Sequence, residues 1–183
     1  DVSITPFRPQ ISDLGEQHPV TTQLGLDTGL SASNWGRWFR MIDSTVTQGQ
    51  VLMTDEVGSP LLVMNRVGEG RVAQLLSDHV WLWDRGFEGG GPQAELLRRV
   101  AHWLMKEPAL EEETLTAEVQ DDQLVIERRS LNMDTLSASI EKPNGTIERR
   151  ELTRQDDGLA RTTLTADAPG LYRITSGDLS AVA

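Results

Sequence analysis

Residues 68–107 read GEGRVAQLLSDHVWLWDRGFEGGGPQAELLRRVAHWLMKE. The stretch begins with a tight turn and an apolar run. It continues with the polar cluster Ser77-Asp78-His79 and two tryptophans, and it ends in a glycine-rich loop and a helix. Nowhere else in the 183 residues do polar side chains, aromatic rings and the start of a helix meet. We therefore take this stretch as the segment around which the first part of the chain folds.

The helix is the clearest element, and we expect it to run from about Gly91 to Glu107. Pro92 suits a first helical turn, and Pro108 forces an end. Apolar residues at positions i, i+3, i+4 and i+7 predict one buried face. That face consists of Leu97, Val100, Ala101 and Leu104, widened by Leu96 and Trp103. On this pattern Arg98 and Arg99 face water.

Three apolar runs precede the helix, at residues 51–53, 61–64 and 72–76. The short turn Gly68-Glu69-Gly70 favours a hairpin between the last two runs. Their apolarity is continuous and does not alternate, which is typical of strands covered on both faces. Farther upstream, Asn34 is expected to cap a short helix with Trp35 and Trp38 on one face.

A change in composition divides the chain. All five tryptophans and all three phenylalanines lie before residue 104, and an acidic run with a proline follows at residues 106–113. Such a run suits a linker. We therefore predict a first domain at residues 1–107, a linker at 108–113 and a second domain at 114–183.

The second domain has the pattern of an all-β sandwich of immunoglobulin-like type. Turn formers such as Asn144-Gly145 and Pro169-Gly170 separate short runs, and no helical pattern is present. The expected strands are 114–119, 123–128, 136–141, 146–152, 159–165 and 171–175. Tyr172, near the start of the last strand, is in the position of a tyrosine corner.

Composition and charge exclude several classes of protein. Lys and Arg number 17 against 28 Asp and Glu, so the net charge is -11 and a nucleic-acid backbone would be repelled. There is no cysteine, and therefore no disulfide, thiolate metal site or cysteine nucleophile within these residues. No apolar run approaches the roughly 20 residues that cross a bilayer. Nothing in the sequence calls for a cofactor.

His79 is the candidate catalytic residue, because a polar group at the end of a buried strand is where open sheets place ligands. It would act as a general base, oriented by Asp78, Asp84 or Glu88. The alternative is that Asp78 and His79 cap backbone groups and fix the turn. Neighbours in sequence point apart, so these two do not form a triad by themselves. The spacing of Asp78, His79 and Asp84 matches no metal-ligand signature.

Trp81 and Trp83 are the candidate ligand-binding residues. On an extended backbone they would share one face and line a pocket or grip an apolar partner. Packing over the sheet edge is the alternative. The glycines at 89–91 lead into the helix and suggest an anion cradle or a flexible hinge. The hinge is favoured, because Pro92 removes a donor and no phosphate-loop lysine is present.

These motifs, in this order, resemble a known family. The turn Gly68-x-Gly70-Arg71, the apolar run, Ser77-Asp78-His79 and the helix ending Ala101-His102-Trp103-Leu104 look like the end of a trehalose-utilisation-type domain. Such domains belong to the class I glutamine amidotransferase-like superfamily. His18-Pro19 resembles an upstream element of the same domains. The whole chain is similar to a group of uncharacterised bacterial membrane proteins labelled glutamine amidotransferases, in which a β-rich segment follows this domain.

The resemblance implies that residues 1–107 are the later part of a flavodoxin-like three-layer α/β domain with a mixed sheet, incomplete at its N-terminus. The family's catalytic histidine would fall on His79. The resemblance also implies membrane helices outside this chain, a periplasmic location and other envelope or membrane proteins as partners. Two departures bear on activity. The family's glutamate two residues after the histidine is Trp81 here, and its upstream cysteine has no counterpart.

Three functions are therefore open. The first is a non-catalytic or degenerate amidotransferase-like module of a membrane-anchored envelope protein, with an interaction or structural role. The second is a hydrolase or amidotransferase-like enzyme whose nucleophile lies upstream, with His79 as the base. The third is a module that binds carbohydrate or peptide through Trp81 and Trp83.

Overall fold

The computed structural model describes residues 1–131 and 136–183 and divides into two compact units, Asp1–Glu111 and Glu112–Ala183. The division falls within the segment 108–113 that the sequence suggests as a linker. Both units are rich in β-structure, and among the residues described here helices occur only in the first unit.

Unit 1 contains a four-stranded sheet, a two-stranded ribbon and two α-helices. The sheet has the order β2-β4-β5-β6, and the ribbon pairs β1 with β3. The strands are β1 Val2–Ser3, β2 Gln10–Ile11, β3 Met41–Ile42, β4 Gln50–Thr54, β5 Pro60–Val67 and β6 Gly70–Leu75. The helices are α1 Trp81–Asp84 and α2 Gln93–Leu104, and 3₁₀ turns span Leu26–Thr28, Ala32–Asn34, Phe87–Gly89 and Pro108–Leu110.

The pairing in this sheet differs from the expected mixed sheet. Every pairing of β2, β4, β5 and β6 is antiparallel. The β5–β6 hairpin closes through Gly68 and Glu69, with Val67 opposite Gly70, as the turn predicts. Parallel neighbours need a crossover of a dozen or more residues. The short connections from β4 to β5 and from β5 to β6 leave no room for one, so the flavodoxin-like α/β layering is not supported.

The core of unit 1 lies between the sheet, α2 and the loop that carries the upstream tryptophans. Its buried members come from almost every segment of the unit. They are Phe7, Val20, Leu24, Trp35, Trp38, Met41, Leu52, Met53, Leu61, Leu62, Met64, Trp83, Leu96 and Trp103. Because tryptophan buries more area than any other side chain, the four buried indoles dominate this core.

Helix α2 buries a different face from the one predicted. Leu96 and Trp103 are fully buried and Val100 packs beside them, whereas Leu97 and Leu104 are each 40% exposed. The indole of Trp103 outweighs a leucine in apolar area, so the helix turns that side inward. Arg99, expected in water, is largely buried: its Nη1 donates to the carbonyl oxygen of Thr22 (2.7 Å), and its Nη2 pairs with Glu95 (2.5 Å).

The expected short helix after Asn34 is absent. Asn34 ends a 3₁₀ turn, and Trp35 is extended (φ -64°, ψ 143°). Trp38 forms an antiparallel bridge with Phe7, in which each N–H donates to the other's carbonyl oxygen at 2.9 and 2.8 Å. Both indoles are fully buried, so tertiary packing overrides the i, i+3 pattern at this position.

Gly90 and Gly91 allow close packing, whereas the predicted hinge at residues 89–91 stays a prediction. A Cβ on Gly91 would lie 2.3 Å from Cδ2 of Trp83. The N–H of Gly36 donates to the carbonyl oxygen of Gly90 at 2.7 Å, so the loop is joined to the upstream segment. A Cβ at Gly90 or Gly91 would lie less than 3.0 Å from Trp83, so the reason for these two glycines is steric.

The C-terminal end of unit 1 is tied to the β5–β6 hairpin. The buried guanidinium of Arg71 donates to the carbonyl oxygen of Trp103 (2.7 Å), lies 4.9 Å from the centre of its ring and pairs with Oε1 of Glu111. Arg66 donates to the second carboxylate oxygen of Glu111 at 2.6 Å. Glu111 belongs to the acidic run predicted as a linker, yet two arginines fix it to the sheet.

Unit 2 is a β-sandwich. Its strands are β7 Thr114–Gln120, β8 Gln123–Arg129, β9 Ser137–Glu141, β10 Ile147–Glu151, β11 Thr153–Arg154, β12 Leu159–Thr165, β13 Arg173–Ser176 and β14 Leu179–Val182. One sheet has the order β11-β12-β8-β7 and the other β10-β9-β13-β14, and all their pairings are antiparallel. Side chains from both sheets form one core, including Leu124, Ile126, Ile140, Leu164 and Ile174.

Each sheet of unit 2 combines strands from the start and the end of the unit. Strands β7 and β8 join β11 and β12 in one sheet, and β9 and β10 join β13 and β14 in the other. The predicted tyrosine corner is confirmed. The buried Tyr172 hydroxyl donates to the carbonyl oxygen of Ala168 (3.0 Å) and accepts the N–H of the same residue (3.1 Å). The sequence pattern missed β14.

Candidate functional site around His79

The segment that follows β6 is held against residues 39–42. The N–H of Leu76 donates to Leu61 O (2.8 Å), and the carbonyl of Leu76 accepts the N–H of Ile42 (2.8 Å). The buried Ser77 hydroxyl then donates to the carbonyl oxygen of Arg40 (2.6 Å) and accepts the N–H of His79 (3.1 Å). Ser77 therefore fixes the turn that presents His79, which agrees with the structural alternative for this cluster.

The imidazole of His79 is engaged by the backbone. Its Nδ1 accepts the N–H of Phe39 at 3.1 Å, so in the neutral ring the proton resides on Nε2. The side chain is 20% exposed. Burial, and then the nearby charge of Arg40, lower the pKa of His79 below its usual value. The neutral ring is therefore the form that this site favours near pH 7.

Asp78 does not orient His79. Its carboxylate is paired with Arg40, whose Nε donates to Oδ1 at 2.9 Å and whose Nη2 bonds to Oδ2. Oδ1 lies 3.9 Å from Nε2 of His79, which is too long for a hydrogen bond. The carboxylate thus serves the arginine, and the imidazole has no acidic partner in Asp78.

Asp84 does not join the site either. It ends helix α1 and is exposed. Within residues 1–131 and 136–183, no hydrogen bond or ion pair joins it to His79. The structure therefore brings two of the three predicted catalytic residues, Asp78 and His79, close to each other without a hydrogen bond between their side chains, and leaves the third apart.

Trp81 and Trp83 do not share a face. They lie in a helical turn, not on the extended backbone that the prediction assumed. Trp83 is 2% exposed, its Nε1–H donates to Gly36 O (2.8 Å), and its ring lies 5.0 and 4.9 Å from those of Trp35 and Trp38. Trp81 is 51% exposed. Of the two predicted ligand-binding residues, only Trp81 presents its ring at the surface.

Sequence reasoning missed the residues that surround His79 from upstream. Phe39 lies 6.4 Å from the imidazole between ring centres, and Arg40 binds Asp78. Phe87 contacts Phe39 at 5.4 Å in an edge-to-face arrangement. These residues come from separate parts of the chain, and only the run of aromatic and basic residues at 37–40 hinted at a surface there.

A pocket of about 340 Å³ adjoins the cluster. Arg40, Ser77 and Asp78 line it together with apolar residues of β1 and β3. His79 is not among the residues that line it, so the pocket does not present the imidazole to a bound molecule.

Neither a metal-ligating cluster nor a membrane-spanning helix is found in the described part of the chain. No three His, Asp or Glu side chains gather there in a metal-binding arrangement. None of the helices there has the length and apolar character needed to cross a bilayer.

Comparisons with known proteins returned no relative. A scan against protein-family models, a search of curated proteins and a search of solved structures each gave no match.

Proposed function

We propose that this chain is a non-catalytic, degenerate amidotransferase-like module that serves interaction or architecture in a bacterial envelope protein. One observation carries the proposal. The two groups that would perform proton transfer are already used within the structure, since Nδ1 of His79 accepts the Phe39 N–H and Asp78 is held by Arg40.

The tautomer of His79 argues against a general base. A base needs an unprotonated nitrogen facing the substrate, and a carboxylate usually holds the proton on the opposite nitrogen. Here Nδ1 is the hydrogen-bond acceptor, so Nε2 carries the proton of the neutral ring. To make Nε2 basic, the proton would have to move to Nδ1, and the bond from Phe39 would be lost. No carboxylate is placed to stabilise that state.

The sequence supports the same conclusion. The chain has no cysteine to act as a nucleophile, and Trp81 stands where the resembling family has a glutamate. Under this proposal, residues 1–111 are the amidotransferase-like module, which consists of an antiparallel sheet, a two-stranded ribbon and one long helix. Unit 2 is then an immunoglobulin-like module, an architecture common among cell-surface domains.

The location and partners form part of the proposal. An amidotransferase-like module of this group would lie on the periplasmic side of a bacterial membrane, anchored by segments outside this chain. Its partners would be other envelope or membrane proteins. The net charge of -11 opposes binding to nucleic acid or to anionic lipid surfaces.

Hydrolysis assays test the proposal. Ammonia release from glutamine and from simple amides would be measured for the full-length protein, for a His79→Ala variant and for a matched His102→Ala variant. We expect all three to equal the buffer blank. Turnover that is lost in His79→Ala and kept in His102→Ala would overturn the proposal and establish the enzyme alternative.

A further inference from the structure

Four aromatic rings form a continuous row on unit 1. Phe87 lies 5.4 Å from Phe39, Phe39 lies 6.4 Å from His79, and His79 lies 6.4 Å from Trp81. The two ends of the row are open to solvent, with Trp81 51% and Phe87 41% exposed. We call these four residues the aromatic row.

Two ion pairs border the aromatic row. Arg37 binds Glu88 through Nε (2.9 Å) and Nη2 (2.5 Å), and its guanidinium lies 5.9 Å from the centre of the Phe39 ring. Arg40 binds Asp78 through two nitrogens in the same manner. All four charged side chains remain partly open to solvent. A guanidinium has five N–H groups and a carboxylate about four acceptor positions, so each pair keeps donors and acceptors for a ligand.

The row and its border are held in place before any ligand binds. The backbone of Glu88 lies in the left-handed region (φ 48°), which a non-glycine residue adopts at an energetic cost. Its carboxylate is held by the side chain of Arg37 and also accepts the backbone N–H of Arg37 at 3.3 Å. The imidazole is fixed by the Phe39 N–H at 3.1 Å. A preformed surface of this kind avoids the entropic cost of ordering side chains on binding.

We propose that the aromatic row binds a neutral saccharide, which would supply the proposed non-catalytic module with its ligand. The C–H face of a sugar ring packs on an indole or phenyl ring, and Trp81 and Phe87 offer such rings to solvent. A sugar hydroxyl both donates and accepts, so it suits the guanidinium and the carboxylate of each bordering pair. The pairs are internally neutralised and the chain carries -11, which favours an uncharged sugar over an acidic one.

A proline-rich peptide fits this surface less well. Such peptides dock on aromatic grooves and present backbone carbonyls, but they have few donors for carboxylates. Asp78 and Glu88, which border the row, would then face mostly acceptors. The carboxylates therefore favour a hydroxyl-rich ligand.

Acrylamide quenching of tryptophan fluorescence gives a specific assay. Trp81 is the exposed tryptophan, whereas Trp35, Trp38, Trp83 and Trp103 are buried, so a quencher reports mainly on Trp81. The protein would be titrated with the tetramer of β-linked N-acetylglucosamine, with cellotetraose and with maltotetraose. We expect at least one of them to protect the fluorescence from acrylamide and to shift the emission to shorter wavelength.

Variants connect binding to the aromatic row. Calorimetric titration should give an affinity reduced about tenfold or more in Trp81→Ala and in Phe87→Ala. Leu97→Ala, which removes a similarly exposed apolar side chain from α2, should leave the affinity unchanged. Near-UV circular dichroism would verify that each variant is folded.

Three results would overturn the proposal. They are no protection by any of the three sugars, a calorimetric affinity that is unchanged in both aromatic variants, or tighter binding of a proline-rich peptide or polygalacturonate than of any neutral sugar. None of these results depends on amide hydrolysis, so they would overturn the saccharide proposal and leave the proposed lack of catalysis unaffected. The hydrolysis assay, in turn, does not depend on sugar binding.

Discussion

A methyl group added at Gly91 tests the packing that places α1 beside the upstream tryptophans. The Cβ of a Gly91→Ala variant would lie 2.3, 2.5 and 2.6 Å from three ring atoms of Trp83, whereas carbon atoms in contact prefer about 3.5–4.0 Å. The ring would have to move by about an ångström. It cannot do so freely, because Trp35 and Trp38 contact it and its N–H donates to Gly36.

The magnitude follows from these contacts. Overpacking a core costs about 1–3 kcal/mol, and weakening the Trp83 hydrogen bond adds about 1 kcal/mol. Replacing glycine by alanine restricts the unfolded chain and returns about 0.4–1 kcal/mol. We therefore expect Gly91→Ala to lower the free energy of unfolding of unit 1 by about 1–3.5 kcal/mol.

Urea unfolding followed by tryptophan fluorescence measures this change for unit 1, because all five tryptophans lie there. Gly70→Ala is a suitable control. Like Gly91, Gly70 is not in the left-handed region, but the atom nearest to its added Cβ is Val67 O at 3.3 Å. The control should change stability by less than about 1 kcal/mol. If Gly91→Ala were as stable as the wild type with an unchanged near-UV spectrum, the reasoning about Trp83 would be refuted.

Three further predictions concern single side chains. Arg71→Leu should destabilise unit 1 by about 2–3 kcal/mol in the same urea assay, since Glu111 loses its buried partner and keeps only an exposed one; an unchanged midpoint would contradict this. Because the pKa of His79 is lowered on folding, the unfolded chain binds more protons than the folded chain just below about pH 6.5. The free energy of unfolding should therefore decrease as the pH is lowered through this range, and it should decrease less in His79→Asn. Tyr172→Phe should cost unit 2 about 1–2 kcal/mol by calorimetry, because Ala168 loses its partner; equal unfolding temperatures would argue against the corner.

Unit 2 was predictable because its signals are local. Turn residues such as Asn144-Gly145 and Pro169-Gly170 set the ends of strands within a few residues, and predicted strand 159–165 coincides with β12. The tyrosine corner is equally local, since it joins Tyr172 to a backbone group only four residues away. Strand β14 was missed because its short run lacks strong apolar alternation.

Unit 1 was predictable only in its hairpins and its long helix. Local spacing placed Trp35 and Trp38 on one helical face and Trp81 and Trp83 on one extended face, and both placements were wrong. Burying an indole stabilises the fold by more than any local propensity opposes it, so the backbone adopts whatever shape brings Trp35, Trp38 and Trp83 together. That convergence depends on long-range packing, which periodicity does not encode.

The hydrogen bonds of His79 also show that local contacts can be predicted from the sequence and long-range contacts cannot. The bond from the His79 N–H to Ser77 is local and could be foreseen from a serine two residues before a histidine. The N–H that reaches Nδ1 belongs to Phe39, 40 residues upstream, and it decides which nitrogen carries the proton. Beside that imidazole lies the edge-on ring of Trp81, with 6.4 Å between the ring centres. An indole ring offers no acceptor for the Nε2 proton, so Trp81 contributes ring packing and not a hydrogen bond to His79.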